Sequence, residues 1–142
     1  MATRTMVESG TQRRDWVQTG LKAAIFSVVA VLVVQALALM IWPEAALFKP
    51  LESYPRSAVF TLIPALGATA VFAWLVRHQN RPVQKFLILS AVLLLLSFIP
   101  DYALPLPNKS LLASSIAAFI HLVAGITTVA TIVSSYRSKV YR

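Results

Sequence analysis

Residues Ala23 to Trp42 read AAIFSVVAVLVVQALALMIW, twenty residues without a charge. A hydrocarbon core about 30 Å thick is crossed by about 20 helical residues. The Val and Ile content of this stretch would favour a strand in water. It lacks period-two alternation, however, and backbone groups in lipid must pair within their own segment, which selects a helix. Trp42 and Pro43 end it. Three further stretches have the same character: AVFTLIPALGATAVFAWLV from Ala58, a Leu-rich run closing on Pro100, and LLASSIAAFIHLVAGITTVATIVSS from Leu111. The sequence therefore predicts an all-α transmembrane four-helix bundle with spans at about 22–42, 58–76, 83–99 and 111–135.

Composition agrees. The chain has 142 residues, of which 58% are hydrophobic and 13% charged, against about 25% charged in a soluble domain. Charge is depleted because a lipid-facing segment cannot hold it cheaply. Cysteine is absent, so disulfides, thiolate chemistry and Cys-based metal sites are excluded. The net charge of +8 does not point to nucleic acid, because no basic stripe falls on a soluble element. The basic residues flank the apolar runs instead, where they act as topology signals and contacts for anionic lipid.

Their distribution sets an expected orientation. Arg4, Arg13, Arg14, Lys22, Arg77, Arg81, Lys85, Arg137, Lys139 and Arg142 fall on one side, and Lys49, Arg56 and Lys109 on the other. The positive-inside rule then places both termini in the cytoplasm, in a prokaryotic cytoplasmic (inner) membrane. Residues 1–15 are expected to form a polar cytoplasmic tail, 16–136 the bundle, and 137–142 a basic tail. The first span reads as retained rather than as a cleaved signal, since polar residues precede it and no small-x-small site follows. Asp15 is expected to cap a helix beginning near Trp16, with Trp16 and Lys22 at headgroup level. Between the first two spans, EAALFK reads as one short turn laid on the membrane. Arg77, Arg81, Lys85 and Arg137 are expected to meet lipid headgroups, as is His78 if it meets anything.

Residues able to carry chemistry are few. His121 is the titratable side chain inside a span, roughly 15 Å from the outer end of its helix. Imidazole at that depth can bond a neighbouring helix (Gln35 or a Ser/Thr), relay protons, or ligate a haem or chlorin. Ala117, one turn earlier, leaves room for a flat macrocycle, a spacing similar to that of single-span light-harvesting polypeptides. Gln35 and Pro64 are expected within a few ångströms of each other in depth and not far from His121. With Gly67 and Gly125 they would form a polar, closely packed layer, whose interhelical hydrogen bonds contribute about 0.6–2 kcal/mol each. Pro64 should kink the second span, with Thr61 positioned to satisfy the carbonyl it frees. Asp101 is expected to be solvated or to cap a turn, near Lys109. The small-residue fourth span is the candidate for the bundle centre. There is no HExxH pair, no paired intramembrane carboxylates, no serine beside a base and no Gly-rich phosphate loop.

A proline in the second span, a short basic turn, a proline closing the third span and the stretch IHLVAG at Ile120 to Gly125 together resemble small four-helix membrane proteins of prokaryotes grouped only as a family of unknown function. The resemblance covers about Lys22 to Tyr136 and implies no activity. The reading is a non-enzymatic integral membrane protein, expected to be an accessory or structural subunit of a larger membrane complex. Its expected partners are the bilayer and other membrane subunits or further copies of itself. A haem- or pigment-binding subunit with His121 as axial ligand, and a small transporter or channel, are the alternatives.

Overall fold

The computed structural model describes residues 2–140, with side chains from residue 14 onward; the side chains of Arg4, Arg13 and Arg142 lie outside the described residues. Five α-helices follow in order: α1 (Ala2–Ile41), α2 (Tyr54–His78), α3 (Pro82–Ser97), α4 (Ile99–Ala103) and α5 (Leu111–Val140), with a 3₁₀ turn at Pro43–Leu47 between α1 and α2. Among the described residues there is no strand. Four segments are long and apolar enough to cross a bilayer: Arg14–Ile41, Tyr54–His78, Pro82–Ala103 and Leu111–Val140. The protein is thus an all-α, multi-pass membrane protein.

Local chemistry sets the helix ends. Ser53 caps α2, its side chain accepting from the Arg56 backbone N–H at 3.5 Å, and Pro55 sits in the first turn, where its missing N–H costs nothing. Before α3 the chain reverses through Arg81 in the left-handed conformation (φ 60°, ψ 56°). Pro82 opens that helix. The third span does not stop at Pro100. It breaks at Phe98, and Pro100 is accommodated in the first turn of α4.

Two expectations, on Asp15 and Thr61, are corrected, and a third gains detail. Asp15 lies inside α1 rather than at its cap; its carbonyl accepts from Thr19 Oγ1 at 3.0 Å, and its carboxylate is 3.5 Å from Lys139 Nζ. That half-exposed pair is worth little, but it sets Asp15 of α1 beside the C-terminal end of α5. The short turn between the first two spans is a 3₁₀ turn at Pro43–Leu47, and one side of the Pro43–Leu51 connection faces the bundle. Ala45, Phe48 and Leu51 are buried against Val31, Ala113, Ile116, Ala117 and Ile120, so the connection closes the loop end of the bundle like a lid. Thr61 Oγ1 bonds the Ser57 carbonyl at 2.8 Å instead of the one Pro64 frees.

The bundle is organised around α1, which packs extensively on both α2 and α5. Small residues allow it. Gly20, Ala23, Ala24 and Ser27 are buried along α1, and a Cβ on Gly20 would stand 3.4 Å from Thr69 Cγ2 of α2. On α5 the complementary face is Ala113, Ser114, Ala117 and Thr128, so the small residues of the fourth span are used inside the molecule. Ser27 Oγ and Thr128 Oγ1 meet at 2.7 Å in the buried α1–α5 interface. Nearer the termini, Phe72 is fully buried and contacts three rings: Phe86 at 4.8 Å, Tyr136 at 5.3 Å and Trp16 at 5.9 Å between centroids. One side chain of α2 thereby joins α1, α3 and α5.

Two substitutions separate these contributions. Phe72→Ala removes the ring shared by four helices and should destabilise the bundle by about 3–5 kcal/mol. Ser27→Ala should lose only about 0.6 kcal/mol, because Thr128 can turn its hydroxyl to its own helix. Reversible unfolding in mixed micelles measures both; equal effects would show that the aromatic cluster does not hold the helices together.

Candidate functional site

The sequence puts a carboxylate just beyond the third span and an imidazole within the fourth, and the break at Phe98 decides whether they meet. Past the break, α4 lies along the start of α5. Ser114 Oγ, fully buried, donates to the Asp101 carbonyl at 2.8 Å. Tyr102 Oη donates to Ser115 Oγ at 3.3 Å. Lys109 Nζ donates to the carbonyls of Tyr102 and Leu104. Lys109 therefore secures the backbone of this turn rather than pairing with the Asp101 carboxylate.

Held this way, Asp101 is neither solvated nor a turn cap. Its side chain is 5% exposed, and its Oδ2 lies 3.3 Å from His121 Nε2, on an imidazole that is 44% exposed. Ser114 and His121 are seven residues apart on α5, two turns along one face. The first anchors the Asp101 backbone and the second faces its carboxylate. The approach is close in distance but poorly aligned, and Oδ2 has no properly directed hydrogen-bond donor. It is a close contact rather than a hydrogen bond. A buried carboxylate without its partner is costly, so His121 is the natural counter-group.

This geometry constrains the chemistry. A carboxylate against one ring nitrogen orients an imidazole and leaves the other nitrogen for a ligand or proton. Nε2 is the nitrogen turned to Asp101, which leaves Nδ1, the more hindered atom beside the backbone. A macrocycle on Nε2 would have to displace this contact. Among the described residues no three His, Asp or Glu side chains gather as a metal set.

The other expected site residues are dispersed. Gln35 is fully buried, but its Nε2 donates to the Leu51 carbonyl at 2.9 Å, tying α1 to the lid, and does not meet His121. Its Oε1 finds no donor, a deficit of about 1–3 kcal/mol. Pro64 and Gly67 lie on the exposed face of α2, and a Cβ on Gly67 would meet nothing within 4 Å. Gly125 lies where α3 crosses α5, a Cβ there standing 3.4 Å from Leu94 Cδ1. The basic residues also divide. Arg81 and Arg137 line one recess, Lys85 Nζ donates to Gln79 Oε1, and Arg77 is exposed. His78 is held by its own helix, with Nδ1 2.9 Å from the Trp74 carbonyl and its ring stacked on the indole. Reading by depth missed Ser114 and the burial of Asp101. The seven-residue spacing of Ser114 and His121, with a short loop leading back to Asp101, is the signal that could have found them.

A double-mutant cycle on Asp101→Asn and His121→Gln should show a coupling of about 1 kcal/mol or more, within the 0.5–3 kcal/mol seen for contacting pairs. Additive effects on unfolding in micelles would show that the two groups merely lie near each other.

No curated protein and no solved structure matches the chain. One family does match, over residues 10–138 and so over nearly the whole bundle with its Asp101–His121 pair. This four-span chain belongs to that family, which is described as a family of unknown function (DUF6069).

Proposed function

We propose that this protein is a non-enzymatic accessory subunit of a larger assembly in a prokaryotic cytoplasmic membrane, with both chain ends in the cytoplasm. The observation that carries this reading is the outward face of α2. Phe60, Ile63 and Trp74 stand 72%, 63% and 52% exposed, and between them Pro64, Gly67 and Ala70 form an exposed notch. Apolar lipid gives no hydrophobic drive for helices to associate, so shape decides which ones do, and small residues allow close approach. Ala65 and Thr69 of α2 pack inside the bundle, whereas Pro64, Gly67 and Ala70 on the same helix face outward. The occupant we assign to the notch is an apolar helix of another membrane subunit.

The buried polar groups also favour a structural role. Ser27 with Thr128, Gln35 with Leu51 and Ser114 with Asp101 join elements of this chain to one another. Gln35 is fully enclosed while Pro64 faces outward, so they do not line a common passage, which disfavours the transporter reading. The contact of His121 Nε2 with Asp101 disfavours axial ligation of a haem or chlorin.

Purification from native membranes in mild detergent should recover a second membrane protein in fixed proportion. A Cβ at Gly67 would meet nothing within 4 Å, and Gly67→Leu adds helix propensity. It should therefore leave the bundle's unfolding transition intact while reducing the recovered partner several-fold. Recovery of this chain alone, or of the partner undiminished with Gly67→Leu, would overturn the reading.

A further inference from the structure

Of the helices that cross the bundle, α3 is the least enclosed. Its buried side chain is Phe86 alone. From the Leu94–Gly125 crossing toward the chain ends, α3 and α5 diverge and leave an open apolar groove of about 540 Å³ walled by Leu87, Ala91, Val129 and Val133. The volume is within the roughly 300–1,000 Å³ of small-molecule sites. The groove runs into a second recess of about 430 Å³, with which it shares Leu87 and Arg137. This second recess has a mostly apolar lining that includes Pro82 and Val83, and Arg81, Gln84, Tyr136 and Arg137 border it.

Length and charge identify an occupant. Gly125 to Arg137 spans roughly 18 Å at the helical rise, close to the depth of one leaflet, which is half of a core about 30 Å thick. The inner end is closed by Leu94 against Gly125, and the outer end carries two guanidinium groups. Among the described residues the carboxylate at this end is Asp15, which is with Lys139 rather than with either arginine. Arginine presents a planar fork that matches a phosphate oxygen pair. The left-handed backbone at Arg81, a conformation non-glycine residues seldom adopt, turns the chain so that this arginine borders the same recess as Arg137.

We propose that the α3–α5 groove is a site for one anionic phospholipid, with an acyl chain between Leu87 and Val133 and the phosphate between Arg81 and Arg137. The site lies in the leaflet on the side of the chain ends. It uses two of the basic residues there and not Arg77 or Lys85, so it differs from general attraction of a basic surface to an acidic bilayer. It lies apart from the α2 notch, and either assignment can fail without the other.

The test uses the full-length chain in nanodiscs of phosphatidylglycerol and phosphatidylcholine, extracted into mild detergent and weighed intact by native mass spectrometry. One phosphatidylglycerol per chain should survive extraction, at least five-fold more often than phosphatidylcholine. Arg81→Gln with Arg137→Gln should remove that preference, Ala130→Phe should lower retention of both lipids by filling the groove, and Arg77→Gln should change nothing. Equal retention of the two lipids, or an equal loss with Arg77→Gln, would overturn the proposal. So would efficient disulfide-linked dimerisation of Ala130→Cys in the membrane, since the native chain has no cysteine and the groove would then be covered by a second copy.

Discussion

A bilayer withdraws the force that assembles soluble helices. Lipid tails are as apolar as leucine, so helices inside the membrane are held by close packing and by a few polar contacts. The architecture of this protein follows from that constraint. Gly20, Ala23, Ala24 and Ser27 let α1 approach its neighbours, and Ser27–Thr128 is a polar bond between two of the long helices. Where the small residues end, the contacts change character. Toward the termini three aromatic rings converge on Phe72 of α2, and toward the loops Phe48 and Leu51 fold inward as a plug.

The same constraint explains why polar groups gather at the loop end. A buried carboxylate is expensive anywhere, and it is tolerated where short turns can supply backbone partners and a counter-group. Ser114, Lys109 and Tyr102 fix the α4 turn, and His121 then meets Asp101 from the adjacent helix. Gln35 serves the other loop in the same way. Gln35, Asp101 and Ser114 are thus placed where connections must be held to spans, while Ser27 and Thr128 bond helix to helix.

The number of spans, their helical nature and the family resemblance were legible in the sequence, because apolar length and charge placement are one-dimensional signals. Which face each residue presents was not. Counting from span ends puts Gln35 and Pro64 at one depth, but Gln35 bonds Leu51, ahead of α2, while Gly20 meets Leu66 and Thr69, so the two lie well apart along the bundle; such counting also says nothing about rotation about a helix axis. Gln35 turned inward to Leu51 while Pro64 turned out. Asp101 was misread for a related reason: Pro100 looks like the end of a helix, yet a proline is also acceptable in a first turn, and α4 continues through it. The small-residue content of the fourth span drew attention away from α1, where Gly20, Ala23, Ala24 and Ser27 lie along the packed face.

Ser27 and Gln35 are eight residues apart on α1 and grip different parts of the molecule, one the fourth span and the other the first connection. Each residue added to a helix rotates everything beyond it by about 100°. An insertion between these two positions would therefore leave one grip intact only by swinging the other off its target. The segment acts as a key with two teeth cut at a set angle, and its length is less free to drift than its plain hydrocarbon character suggests.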